Sequence, residues 1–513
     1  MKWLSQRRSG VLLHPTSLPG PHGAGDFGPA ARHFVDWLCV AGQTVWQMLP
    51  TNPPGPGHSP YQSVSSFAGS AAMVALEPLV ERGWLAPPTL PEGGFTPRRV
   101  DAARVGDWRL QQLRQAAAGF ERRASTAERE ALQAFRDAQQ GWIDDYLLFM
   151  ALEAEQQGRA WWDWPAPLRD RDPSALAQAR QRLAAELRFH AFVQWQFDEQ
   201  ARSLRAYAGE RGVLLLGDLP IFVAHHSADC WSRPDLYWLD AQGQPMVVAG
   251  VPPDELSSTG QRWGNPLYRW DRMAAEQHAW WAARVRRALE LADLLRIDHF
   301  IGFSRYWAIP AHEPGATVGQ WCPGPGRVLF DDIAAALGSP LSELPIVAED
   351  LGLVTPEVAA LRDGCGFPGM KIVSFAFGGD GAHEFLPHQH PPHCVAYPGT
   401  HDNDTLLGWW RTASARERAF LQAYCGAVGA GEAETLWALL RAIANSPART
   451  VVFPMQDLLG LDGRHRMNLP GTMGGDNWAW RFDWDMVGPE PARRLGALAA
   501  ASGRAPIALL GLP

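Results

Sequence analysis

Short apolar runs punctuate the chain, and most of them stop at a charge or a turn. They fall at residues 10–14, 43–49, 212–218, 294–300, 344–350, 370–375, 394–397 and 450–457. Unbroken apolar runs of this length read as buried parallel strands, because a strand with one wet face would alternate. Most are followed by text with the 3.6-residue period of an amphipathic helix, the first at 29–40. Eight strands alternating with helices predict an α/β fold, a (β/α)8 TIM barrel. Four acids sit at or just past strand ends: Asp218, Asp298, Glu349 and Asp402. In a barrel the C-terminal strand ends converge on one rim, so acids on strands three, four, five and seven would surround one centre. A doubly wound sheet would not gather them so naturally.

Two stretches interrupt the alternation. Helical periodicity dominates 66–210, over 108–118, 127–139, 142–156, 174–189 and 192–208. This predicts an inserted, mainly helical subdomain between strands two and three, with the stripe at 190–197 as a helix core face. A loop-rich insertion is expected over 219–293, after strand three. It contains an active-site loop at 250–266, where Pro252-Pro253 stiffens one end and Gly260 and Gly264 permit bends around Trp263. One catalytic barrel is expected to span 1–513. The segment Gly23-Ala24-Gly25-Asp26-Phe27-Gly28 matches the spacing GxGxxG. Eight residues separate it from its strand, however, and the next strand ends in Leu49-Pro50 rather than an acid, so it reads as a tight loop entering the helix.

Composition narrows the partners. A net charge of −8 argues against nucleic acid, since phosphate binding needs a basic surface. No segment approaches the ~20 apolar residues of a membrane span. The basic residues 1–8 precede no apolar stretch of signal-peptide length. The six cysteines are scattered without a CxxC pair, which suggests neither a zinc ribbon nor a disulfide framework. A reduced, cytoplasmic protein is expected. His388, His390 and His393 lie in a proline-broken loop that reads as solvated, and there is no HExxH or EF-hand pattern, so neither a metal nor a cofactor is expected. The 24 tryptophans exceed what a core needs. Flat aromatic faces suit sugars, although pairs such as Trp161-Trp162 and Trp280-Trp281 read as helix packing.

The acids suggest a chemistry. Cleavage of a glycosidic bond with retention needs two carboxyl groups about 5–5.5 Å apart, one as nucleophile and one as acid/base. Asp298 and Glu349 end neighbouring strands and can meet across a sugar. Asp298 stands beside Arg296, whose charge favours the ionised form a nucleophile needs. Glu349 follows Ile346-Val347-Ala348, an apolar setting that would raise its pKa and keep its proton for the leaving oxygen. Asp402, preceded by His401, would bind hydroxyls and favour positive charge on the ring.

These residues carry a resemblance. Arg296-Ile297-Asp298-His299, Ala348-Glu349-Asp350-Leu351-Gly352 and Gly399-Thr400-His401-Asp402-Asn403 resemble the three catalytic motifs of the α-amylase clan. Ser59-Pro60-Tyr61, Gly217-Asp218-Leu219-Pro220-Ile221, Gly260-Gln261-Arg262-Trp263-Gly264-Asn265-Pro266 and Arg466-Met467-Asn468-Leu469-Pro470-Gly471 narrow it. Together they are similar to glycoside hydrolase family 77, the 4-α-glucanotransferases, from about residue 8 to the C-terminus. The resemblance implies transfer of α-1,4-glucan segments from maltooligosaccharides, amylose or glycogen-derived glucans to glucose or a glucan, through a covalent glycosyl-enzyme. It implies Asp298 as nucleophile, Glu349 as acid/base and Asp402 as transition-state stabiliser. Tyr61 would stack on the attached sugar, Asp218, Arg296 and His401 would bind its hydroxyls, and Asn468 would support the site. Gln261 and Trp263 would lie over the acceptor side. The family often has an acid directly after Phe-Ala-Phe, where this chain continues Phe375-Ala376-Phe377-Gly378-Gly379-Asp380. Two other readings compete: an α-amylase-like hydrolase on the same barrel, and a non-catalytic glucan-binding protein.

Overall fold

The computed structural model describes residues 5–253 and 258–510. In chain order the strands are β1 (Arg8–Leu12), β2 (Val45–Gln47), β3 (Leu214–Leu219), β4 (Val247–Val251), β5 (Gln261–Pro266), β6 (Leu294–Ile297), β7 (Arg305–Pro310), β8 (Gln320–Pro323), β9 (Ile346–Ala348), β10 (Gly369–Ile372), β11 (Cys394–Tyr397) and β12 (Thr450–Pro454). The eight apolar runs each yield one strand of a single sheet, ordered β10-β11-β12-β1-β2-β3-β6-β9. Every pairing in it is parallel. Every residue of β2, β6, β9, β11 and β12 is buried, as parallel strands covered on both faces require.

The sheet nearly closes into a barrel. At the seam between β9 and β10 the Ala348 amide donates to Pro368 O at 2.9 Å. Asp350, just past β9, stitches the same seam: its carboxylate accepts the Met370 amide at 2.7 Å and pairs with Arg362. The acid next to Glu349 is thus spent on holding the barrel shut.

The helix expected at 29–40 is Pro29–Val40, with proline at its first position. The insertion between β2 and β3 is helical. The stripe at 190–197 is indeed a core face, but the expected break at 190–191 does not occur. One helix runs Ala184–Glu210, and the chain turns instead at Leu183, which ends the helix Pro173–Arg182. No glycine, proline or capping residue interrupts 184–197. This long helix ties the start of the insertion to its end. Gln194 exchanges two hydrogen bonds with the Gly69 main chain, both at 2.8 Å. Gln200 does the same with Ala75, at 2.7 and 3.1 Å. Each amide side chain fits a peptide group and satisfies both its donor and its acceptor.

Two strands, β4 and β5, lie in the region 219–293 expected to be loop-rich, and two more, β7 and β8, follow it. β4, β5, β7 and β8 form a second, antiparallel sheet in the order β5-β4-β7-β8. Its strands escape a pattern search because they contain glycine or proline and most mix polar with apolar residues without clean alternation. Residues 250–266 therefore run from the end of β4 through β5, with 254–257 outside the described residues.

Candidate active site

Strand register places the acids. Asp218 on β3 lies opposite Arg296 on β6, and Ile297 lies opposite Ala348 on β9. One residue further along, Asp298 and Glu349 emerge at neighbouring strand ends. The Glu349 amide donates to Ile297 O at 3.0 Å, which fixes their relative height.

Arg296 is the hub. One of its amino groups donates to both oxygens of Asp218 at 2.8 Å, and the other donates to Asp298 Oδ1 at 2.8 Å. The Arg296 side chain is 3% exposed and that of Asp218 0%, whereas Asp298 is 27% exposed. Burial alone would lower the Arg296 pKa, but Asp218 and Asp298 hold it well above its ordinary value. Asp218 also accepts the Tyr61 hydroxyl at 2.7 Å. Burial, and then the Asp218 charge, push the Tyr61 pKa well up, so it stays a donor. Under the rim, Tyr397 donates to Gln47 Oε1 at 2.9 Å, both fully buried.

Across the rim, the Tyr61 ring stacks on His401 with centroids 5.3 Å apart and planes 8° apart. His401 Nε2 stands 3.3 Å from Asp402 Oδ2. Asn468 Nδ2 donates to Asp402 Oδ1 at 2.7 Å, and Arg466 donates to the Asp402 main-chain oxygen at 2.8 Å. The Asp402 side chain is 42% exposed, so it faces the opening.

Glu349 holds its proton to unusually high pH for a carboxyl group. Burial pushes its pKa up to about 8; Arg296 pulls it down and Asp298 pushes it further up. Two main-chain amides also act on it and favour its charged form: His299 N–H donates to Oε2 at 2.6 Å and Leu351 N–H to Oε1 at 2.9 Å.

On the β5 side, the Trp263 indole N–H donates to Gln261 Oε1 at 3.2 Å. Gln62 donates to Asn265 Oδ1 at 3.0 Å, joining the loop after β2 to β5. The structure thus brings Tyr61, Asp218, Arg296, Asp298, Glu349, His401, Asp402 and Asn468 into one connected rim. Trp263 touches that rim through His299, with ring centroids 4.8 Å apart, and Gln261 stands behind Trp263.

Sequence reasoning missed three neighbours. Trp478 stands 5.8 Å from Tyr61 and 6.0 Å from His401, with a positive φ of 64° that is rare outside glycine. Its one signal is its place in Asn477-Trp478, just after the Gly474-Gly475 turn. Gln62 carried no signal beyond its place next to Tyr61. His299 carries no signal of its own beyond its place in the motif Arg296-Ile297-Asp298-His299. Among the described residues one set of possible metal ligands lies close together, His22, Asp26 and Glu77, away from this rim. Asp26 there already pairs with the buried Arg109 at 2.7 Å.

A carboxylate paired with a buried arginine, a carboxylic acid that keeps its proton near neutrality and a third carboxylate at one opening match the needs of glycosidic bond exchange with retention. A profile of the 4-alpha-glucanotransferase family matches residues 13–486. A 4-alpha-glucanotransferase from Thermus thermophilus is 49% identical over 503 residues, covering 97% of this chain and 99% of its own. One from Synechocystis is 43% identical over 487 residues, covering 94% and 95%. Among solved structures, an amylomaltase from Streptococcus agalactiae in complex with acarbose superposes with a TM-score of 0.92 at 34% identity, covering 98% of this chain and 100% of that one. An amylomaltase from Corynebacterium glutamicum shares the fold, with a TM-score of 0.74 at 20% identity over 97% and 76% of the two chains.

Proposed function

The chain belongs to the 4-alpha-glucanotransferase family, and from that premise we propose that Asp298 is its nucleophile, Glu349 its acid/base and Asp402 its transition-state stabiliser. The enzyme transfers α-1,4-glucan segments with retention. In the first half-reaction an Asp298 oxygen attacks C1 of the donor sugar. The bond from C1 to the bridging oxygen breaks, and Glu349 gives its proton to that oxygen. In the second half-reaction the 4-hydroxyl of an acceptor attacks C1, Glu349 takes the hydroxyl proton, and Asp298 leaves as the carboxylate.

The electrostatics support this assignment in both directions. While Asp298 is charged it pushes the Glu349 pKa up, keeping the proton available. Once Asp298 is tied up as an ester that push is gone, and Glu349 becomes the base the second step needs. Tyr61 offers the attached sugar a ring face. Asp218, Arg296 and His401 offer it hydrogen bonds, Asn468 holds Asp402, and Gln261 and Trp263 serve the acceptor side. Donors are maltooligosaccharides, amylose or glycogen-derived glucans, and acceptors are glucose or glucans. Residues 66–210 and 219–293 are insertions in one catalytic barrel. The enzyme works in the cytoplasm, a reading supported by six cysteines without a disulfide. Among the described residues no helix is long and apolar enough to cross a membrane.

The observation that carries the assignment is the single buried arginine shared by Asp218 and Asp298, with Glu349 at the next strand end. Replacing Asp298 by Asn keeps its shape and removes the nucleophile. Glucose and longer oligosaccharides formed from maltotriose should fall by about three or more orders of magnitude while the thermal melt stays sharp. A folded D298N that kept a tenth of the native rate would remove Asp298 from the role.

A further inference from the structure

His299 follows the nucleophile directly, and the reaction described above makes no use of it. Its backbone is left-handed, with φ 48°, a conformation that costs a non-glycine residue energy and persists only where its surroundings impose it. In that conformation its amide donates to Glu349 Oε2 at 2.6 Å, and the next amide, of Phe300, donates to Glu349 O at 2.8 Å. Consecutive N–H groups thus grip the side chain and the main chain of one residue.

The imidazole is what the surroundings hold. Trp263 packs against it edge-to-face, with centroids 4.8 Å and planes 88° apart. Gly302 makes room on another side: a Cβ there would come within 3.1 Å of His299 Cδ2 and 2.6 Å of Ile221. Burial pushes the His299 pKa down to about 4, so the ring is neutral and is held by packing rather than charge. Trp263 is itself anchored, to Gln261 through its indole N–H and to Gln62 through its main-chain oxygen at 3.4 Å.

We propose that His299 is a positioning residue for Glu349: Trp263 holds the imidazole, the imidazole holds the left-handed backbone, and that backbone presents the amide that grips the carboxyl. The proposal rests on the reading of Glu349 as acid/base. It links the acceptor side, where Trp263 stands, to the proton on the acid. The charged groups around Glu349 are Arg296 and Asp298 on its own side of the rim. Asp350 is turned away into its pair with Arg362, and Asp218 lies beyond Arg296. Asp298 also acts on the His299 imidazole, pulling its pKa back up against burial.

The direction follows from the hydrogen bond. An amide donated to a carboxylate favours the charged form. Weakening it makes Glu349 hold its proton to higher pH, and the alkaline limb of kcat/KM for maltotriose should move up. H299A loses the ring and cannot easily keep φ positive; the expected shift is about half to one pH unit upward. W263A, with the His299 backbone chemistry intact, should shift the limb the same way, and it carries the test if H299A fails to fold. H299N should return the limb toward its native position, because Asn tolerates the left-handed region. E349Q is the control for the underlying assignment. It should lose the maltotriose reaction yet still release fluoride from α-maltotriosyl fluoride, whose leaving group needs no proton. Retention of the maltotriose reaction by E349Q would overturn the acid/base assignment and this proposal with it. If E349Q behaves as expected but H299A and W263A both keep the native alkaline limb, the positioning role alone is overturned.

Discussion

Asn468 offers a sharp test of how the rim stabilises positive charge on the sugar. Its side chain makes one contact with the proposed stabiliser, Nδ2 to Asp402 Oδ1 at 2.7 Å. Its main chain is held independently: its amide donates to His401 O at 3.1 Å, and its carbonyl accepts from Arg466 Nε at 2.8 Å. N468A therefore removes one donor and leaves the loop in place. A hydrogen bond to a charged group contributes about 1.5–3 kcal/mol. Asp402 is 42% exposed, so water replaces part of the loss, and the lower end applies. About 1.5 kcal/mol corresponds to roughly tenfold in kcat/KM. N468D has nearly the same shape but places a second carboxyl against Asp402. Two carboxylates at that separation cannot both stay charged cheaply. N468D should thus lose more than N468A at neutral pH and recover toward it as the pH falls, when the new acid is protonated and donates as the amide did. The assay is the initial rate of glucose release from subsaturating maltotriose across pH, with a thermal melt of each variant. Native kcat/KM in N468A to within twofold would refute the reasoning, as would an N468D whose loss equals that of N468A at every pH.

Four further outcomes follow from other parts of the structure. With Glu349 titrating at about 8, native kcat/KM for maltotriose should fall about tenfold per unit above that pH, and a profile flat to pH 9.5 would count against its role as the acid. Burial raises the Asp457 pKa to about 7 from an ordinary 3.8, so the fold favours its neutral form; its contribution to stability is whole below about pH 4 and is lost as pH rises through 7. D457N keeps an acceptor for the Leu406 amide and should gain on the native protein by ~4 kcal/mol at most at pH 8, with no gain at pH 4; a pH-independent difference in denaturation midpoint would contradict this. Ala usually stabilises a helix relative to Gly by about 1 kcal/mol, but G119A would place a Cβ 1.8 Å from Trp84 O and should lower stability by about 2–3 kcal/mol, so a raised melting temperature would show the contact to be wrong. If Trp263 orients the acceptor sugar ahead of water, W263A should cut longer products from maltotriose more than it cuts net hydrolysis, and a proportional fall in both would place acceptor choice elsewhere.

The barrel was legible because its signal is local. A buried parallel strand must be apolar throughout, and all eight such runs became the eight strands of one sheet. The acids were legible for the same reason: Asp298 and Glu349 sit one residue past such a run, Asp218 at the end of one and Asp402 in the loop after another, and the barrel rule sends those positions to the rim. The antiparallel sheet was not legible. Gln261-Arg262-Trp263-Gly264-Asn265-Pro266 has no clean period, and its partner β4 pairs on its other side with β7, more than fifty residues along the chain. Strand character there comes from partners, not from the run itself. Leu183 and Trp478 illustrate the same limit. The turn at Leu183 carries no glycine or proline, and the left-handed backbone at Trp478 sits on a residue type that seldom adopts it.

What the sequence could not rank is which members of the rim are fixed and which are free, and burial ranks them. Arg296 and Asp218 are sealed below the opening at 3% and 0% exposure, while Asp298 and Asp402 look out of it at 27% and 42%. A buried pair with its hydrogen bonds complete cannot reorganise without leaving a charge unpaired, at a cost of about 3–5 kcal/mol. Asp298, the proposed nucleophile, is therefore the outward end of an immobile ionic base. Transition-state stabilisation of this kind depends on dipoles and charges that do not have to move when the reaction's charge develops. It also explains why Arg296 is an arginine. Only a fork-shaped, always-charged donor can hold Asp218 with one amino group and Asp298 with the other. A lysine would hold one of them and leave the second carboxylate to find water, and the proposed nucleophile would lose its bearing.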